Sequence, residues 1–114
     1  MIPFAPISDI KSDQFLTKSV NGQEVGAIKY NNQYYVYHSI CPHAGASICK
    51  GSVQFKVISQ ENQVYEVDKS ILILSCPWHG HEFFIDNGRS VLKGLGKLAR
   101  IPSAVIDGIL HVDL

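Results

Sequence analysis

Cys41-Pro42-His43-Ala44-Gly45 and Cys76-Pro77-Trp78-His79-Gly80 are near-copies of one short pattern. Each sets a proline directly after a cysteine, a histidine close behind, and then a glycine. Two thiolates and two imidazoles on a pair of tight loops make a metal-binding donor set. Zinc suits it, and so does an iron–sulfur cluster in which two histidines replace two cysteines on one iron. Structural zinc sites usually pair their ligands like with like, Cys near Cys and His near His. Here each loop supplies one of each, as C-x-H and C-x-x-H. That favours two loops gripping a two-iron cluster from opposite sides, while zinc stays open on the residues alone.

Outward from the boxes, the chain reads as strands. Residues 25–30 and 34–37 flank Asn31-Asn32-Gln33 as a hairpin. Further β-type runs occupy 53–58, 64–67, 71–74, 82–85 and 98–101. Residues 104–106 and 109–112 make a second hairpin about Asp107-Gly108. One helical turn is expected near residues 8–15, capped by Ser8 or Asp9. Many short strands parted by turns predict an all-β sandwich or barrel-like domain. At 114 residues the chain is one domain, with one modest core rather than two.

Ten acidic residues balance ten basic ones. Without a basic block or aromatic–basic interleaving, nucleic acid is not an expected partner. No apolar run approaches the ~20 residues that span a bilayer, and residues 1–6 lack the features of a signal peptide. A soluble, cytoplasmic protein with no membrane partner is expected. Cys49 has no partner outside the boxes, which suits a reducing compartment, and it reads as a small buried hydrophobe.

Cys41-x-His43 and Cys76-x-x-His79 together resemble the signature of the Rieske [2Fe–2S] family. The run Cys76-Pro77-Trp78-His79-Gly80-His81-Glu82-Phe83, followed by Asp86-Asn87-Gly88-Arg89, resembles the second cluster loop of Rieske ferredoxins and ring-hydroxylating oxygenase systems. The resemblance extends over roughly residues 4–114. It implies stacked antiparallel sheets within one domain, 1–114, and a small cluster-binding subdomain at about 38–88. It also implies a [2Fe–2S] cluster bound by Cys41 and Cys76 on one iron and by His43 and His79 on the other. Pro42 and Pro77 would stiffen the loops, and Gly45, Gly80 and Gly51 would let backbone N–H groups approach the sulfurs. Gly94-Leu95-Gly96 is similar to the third loop that covers the cluster in the family.

Departures from the family pattern carry information too. Residues 44–75 separate His43 from Cys76, about twice the spacing of compact Rieske ferredoxins, so an inserted hairpin is expected at about 52–69. High-potential members link the loops by a disulfide, but Ala46 and Trp78 stand at those places here. They also have a hydroxyl where this chain has His81. A potential in the lower part of the Rieske range, roughly −150 to +300 mV, follows, and it should fall at alkaline pH. Trp78 is expected to wall one side of the cluster or to pack plainly, and His81 to join the docking surface. His38 and His111 read as structural or solvated.

The resemblance implies a one-electron carrier between a reductase and a terminal oxygenase or similar redox partner. The chain lacks the length and the spare His/His/carboxylate set for an oxygenase's mononuclear iron, so no catalytic site of its own is expected. The alternatives are a tightly bound small subunit of a larger oxidoreductase, as in nitrite reductase, and a zinc-stabilised interaction module. Replacing His79 by Cys should preserve some iron–sulfur binding while lowering the potential and weakening its alkaline pH dependence. An unchanged redox titration of His79→Cys would contradict the ligand assignment.

Overall fold

The computed structural model describes residues 1–114 apart from Ala44, Gln63 and His79, and describes Ser59, Gln60 and Tyr65 by their backbone only. The chain runs through β1 (Ile2–Pro6), a 3-10 turn (Ile7–Asp9), β2 (Leu16–Val20), β3 (Gln23–Tyr30) and β4 (Gln33–His38). A second 3-10 turn (Ile48–Lys50) leads into β5 (Ser52–Glu61), β6 (Val64–Ser75) and β7 (Glu82–Phe84), and the chain ends with β8 (Ser103–Ile106) and β9 (Ile109–Val112). These strands form three antiparallel sheets ordered β1-β9-β8, β2-β3-β4 and β5-β6-β7. The all-β architecture is the expected one.

Three hairpins turn on two residues with positive φ: Asn21-Gly22 (51°, 77°), Asn31-Asn32 (50°, 59°) and Asp107-Gly108 (51°, 75°). Asn, Asp and Gly tolerate this left-handed backbone, and the resulting turn matches the twist of the strands it joins. The sheet β2-β3-β4 is the middle layer. Val25, Ala27 and Val36 pack with Phe4, Ile101, Leu110 and Val112 on one side. Ile28, Tyr35 and Tyr37, at the alternate positions, pack with Leu72, Leu74, Phe83 and Ile85 on the other. Strand alternation therefore gives this sheet two buried faces, and the domain has two cores where one is expected from length. Gly26 leaves room for Cys49: a side-chain carbon built on it would lie 2.5 Å from the Cys49 Sγ.

Other elements differ from the sequence reading. The expected runs 53–58, 64–67 and 71–74 belong to two continuous strands, β5 and β6, with register shifts at Phe55/Lys56 and Val57/Ser59. Because β7 pairs only with Ile73, Leu74 and Ser75, the outer part of this hairpin is a two-stranded arm. Phe55, Val57, Ile58, Val64 and Val67 are exposed on it. Residues 98–101 lie beside β4 and are joined to it by the Tyr37↔Arg100 bridge rather than by a strand ladder. The N-terminal turn starts earlier than expected and has no side-chain cap, because Pro6 stands at its cap position while Ser8 and Asp9 lie inside it. β1 and β2 are absent from the expected set.

Tyr37 ties the middle sheet to the turn after β7. Its hydroxyl donates to the Ile85 carbonyl at 2.5 Å, and its ring lies against Gly88. Burial pushes its pKa up to about 12. Burial likewise pushes the Cys49 thiol up to about 12. Both groups are thus held neutral in the fold, with pKa values raised above their unfolded ones of 10.0 and 9.0. Their contribution to stability is complete below pH 9 and declines as pH rises towards 12. Urea midpoints should therefore fall with pH in this window, and less steeply in Cys49→Ala and Tyr37→Phe. Parallel profiles for parent and variants would refute the linkage.

Candidate metal centre

Cys41 sits just beyond the end of β4, and Cys76 directly follows β6. Both boxes fold into the same closed turn. Gly45 N–H donates to the Cys41 carbonyl (2.9 Å), and Cys41 N–H donates to the Ala46 carbonyl (2.8 Å). In the second box Gly80 N–H donates to the Cys76 carbonyl (3.1 Å), and Cys76 N–H to the His81 carbonyl (2.7 Å). The reversal needs a left-handed residue at the fifth position of each box, and there stand Gly45 (φ 66°) and Gly80 (φ 67°). Pro42 and Pro77 occupy the position whose φ a proline presets for a turn. The N–H groups of Gly45 and Gly80 themselves close the turns, and that of Gly51 donates to the Ile48 carbonyl.

The matched turns bury both box cysteines, which are 1% and 3% exposed, within the core that also holds Ile48, Phe83 and Leu98. None of the three cysteines forms a disulfide. His43 is exposed. Its ring stacks on His81 of the second box, centroids 4.4 Å apart, and lies 6.1 Å from the Phe83 ring. The two loops are therefore neighbours, with thiols inside and an imidazole outside. His79 lies outside the described residues. Among the described residues, no three His, Cys, Asp or Glu side chains are grouped to hold a single metal ion. The fit to a two-iron group rests on donor chemistry: two buried thiols held in one repeated turn, with an imidazole at a loop tip.

What brings the boxes together is the segment just after the first. The turn Ile48–Lys50 ends at Gly51, where a side-chain carbon would lie 1.7 Å from the Ser75 carbonyl oxygen. Ser52 pairs with Ser75 in the β5–β6 ladder, so the exit of one loop is fixed against the start of the other. Beneath this turn, the Cys49 N–H donates to the buried Ser39 hydroxyl at 3.1 Å. The Ser39 hydroxyl, with Ser47 and Lys50, holds the Glu24 carboxyl below the usual carboxylate range. Lys50 Nζ lies 3.3 Å from Glu24 Oε1.

The remaining sequence candidates take definite places. Trp78 is 65% exposed and packs in neither core. His81 is half-buried in its stack on His43. His38 ends β4 with its N–H on the Ala99 carbonyl, and His111 Nδ1 lies 3.0 Å from the Ile109 carbonyl oxygen. The loop Gly94-Leu95-Gly96 reaches the first box: a side-chain carbon on Gly96 would meet the Pro42 ring at 3.8 Å. Arg89, Lys93 and Lys97 line a cleft beside this loop. The sequence reading places docking specificity in loops such as 59–63 and 92–97 but gives these cations no individual role, although residues 87–106 hold four cations and no carboxylate.

A family model described as the Rieske [2Fe-2S] domain matches residues 1–102. No curated protein matches the chain in sequence. Among solved structures, the ferredoxin of Sphingomonas yanoikuyae B1 is 17% identical, covering 99% of this chain and 97% of its own, with a TM-score of 0.73. A chain from the complex of reduced oxygenase and oxidized ferredoxin in carbazole 1,9a-dioxygenase is 18% identical, with 98% and 100% covered and a TM-score of 0.72. A protein assigned as the small subunit of an NADH-dependent nitrite reductase from Mycobacterium tuberculosis is 13% identical, with 96% and 90% covered and a TM-score of 0.70. At these identities the likeness is one of fold.

Gly51→Ala should part the two boxes, because its new carbon meets backbone rather than a movable side chain. Overpacking of this kind costs about 1–3 kcal/mol or more. We expect a lower urea midpoint and at least a halving of bound iron per chain. A variant with parental iron content would show that the close approach does not hold the boxes together.

Proposed function

The chain belongs to the Rieske [2Fe-2S] domain family, and from that premise we propose that it carries single electrons from a reductase to a terminal oxygenase or similar acceptor. The observation that supports this most is the pair of matched turns, which bury Cys41 and Cys76 and leave His43 at the surface. When bound, a cluster of this type takes up and returns one electron. Cys41 and Cys76 would hold one iron, and His43 and His79 the other.

The residues of the chain divide the remaining work. The core around Cys41 and Cys76, with Ile48, Phe83 and Leu98, keeps water from the two thiolates. His81 and Phe83 support the His43 ring from below, which fixes the direction of an exposed imidazole. Support of this sort orients a metal ligand and tunes what it binds. A partner resting on the loop tip meets His43 first, so electrons enter and leave by that face. The protein acts as a transfer component in the cytoplasm and has no reaction of its own. No helix among the described residues is long and apolar enough to cross a membrane.

The likeness to a nitrite reductase small subunit favours a second reading, a resident subunit of a larger oxidoreductase. A redox titration combined with size analysis of the protein from its native source separates the two. The carrier reading predicts a one-electron transition in the lower part of the roughly −150 to +300 mV range, on a protein that migrates alone. Stable co-migration with a large flavin or haem subunit would favour the second reading. A transition of any other electron count would overturn both.

A further inference from the structure

Charge balances over the chain as a whole but not over the surface beside the third loop. A cleft of about 480 Å³ opens there, lined by Phe84, Asn87, Arg89, Ser90, Lys93 and Lys97 among others. Arg89 and Lys97 face each other across an isolated antiparallel bridge. Like charges placed directly opposite destabilise a strand pair, so this pairing is a local cost to the fold. No carboxylate lines the cleft itself, although Asp86 directly precedes its Asn87. Residues 87–106 contain no Asp or Glu, and among the described residues the one ion pair is Lys50–Glu24. Arg100, the fourth cation of the segment, lies over the Tyr35 ring instead, 4.6 Å from its centroid.

The cleft also adjoins the metal centre. The loop that forms its wall reaches Pro42 of the first box through Gly96. That loop carries Leu92 and Leu95, which are 62% and 39% exposed. A small anion needs the cations but has no use for exposed leucines. A protein surface uses both, because transient interfaces combine an apolar contact with charges that steer and register the approach.

We propose that Arg89, Lys93 and Lys97, with the loop at residues 92–97, form the docking face for an acidic patch on the protein that exchanges electrons with this one. The inference rests on the carrier reading and adds the chemistry of the partner. Docking there sets the partner beside the first box, against the loop that bears His43. Local positive potential raises the encounter rate with acidic partners by about tenfold or more at low ionic strength, and salt removes the gain.

Two measurements on the full chain test the proposal, each comparing Arg89→Gln/Lys93→Gln/Lys97→Gln with the control Lys11→Gln/Lys56→Gln/Lys69→Gln, which carries the same net charge. The first is stopped-flow oxidation of the dithionite-reduced protein by ferricyanide and by the cationic tris(phenanthroline)cobalt(III). Ferricyanide should react several-fold faster at low salt with the parent and the control, and the cleft variant should lose that advantage. The second is anisotropy of a fluorescent oligoglutamate peptide, which needs no bound iron. The peptide should bind the parent and control at low salt and bind the cleft variant at least about threefold more weakly. If cleft and control variants behave alike in both experiments, the docking face is wrong. If the protein cannot be reduced and reoxidised, the carrier reading falls, and loss of peptide binding in the cleft variant alone still supports an acidic partner at this face.

Discussion

The centre depends on a backbone contact too close for any side chain, Gly51 against the Ser75 carbonyl. Gly51 has ordinary extended dihedrals, φ −75° and ψ −177°, so its freedom to turn is not what the site uses. It is needed because it occupies no space. The contact fastens the residue that leaves the first box to the residue that precedes Cys76. Each box closes its own turn, and this contact, with the Ser52↔Ser75 pairing and the His43–His81 stack, sets the two boxes side by side. The ladder from Ser52↔Ser75 along β5 and β6 then carries the registration outward.

Around that contact the fold is arranged as a support. The middle sheet offers Ile28, Tyr35 and Tyr37 to the core that receives both box cysteines. Its opposite face is closed by the terminal sheet through Leu110 and Val112. Tyr37 reaches across to the turn after β7 through its hydrogen bond to Ile85. Burial is therefore concentrated around the box cysteines, and exposure increases towards His43 and the loop at 92–97. This gradient suits a centre that must be shielded on one side and met by another protein on the other. The basic cleft borders the loop at 92–97.

Much of this was legible in the residues, for physical reasons that differ by element. The boxes stood out because metal donors in fixed spacing are rare by chance, and their repeated glycine marked a left-handed turn in each. Asp107-Gly108 and Asn31-Asn32 marked hairpins through their turn chemistry. Asn21-Gly22 carries the same signal and was as readable, but the strand before it, Leu16–Val20, alternates weakly because it is largely solvated. The long β5–β6 hairpin read as separate runs because the polar stretch Asp68-Lys69-Ser70 interrupts β6, where the register also shifts. Two facts could not be read at all. Gly51's neighbour across the chain and the convergence of Arg89, Lys93 and Lys97 arise only when distant segments meet.

The claim that matters most is that the two boxes act together on one two-iron cluster. Visible absorption and electron paramagnetic resonance spectra of the purified protein, before and after dithionite, test it most directly. The account predicts a red-brown protein that bleaches on reduction and then gives a rhombic signal of the Rieske type. A protein that stays colourless after anaerobic reconstitution with iron and sulfide would contradict it, leaving the matched turns with zinc or with no metal.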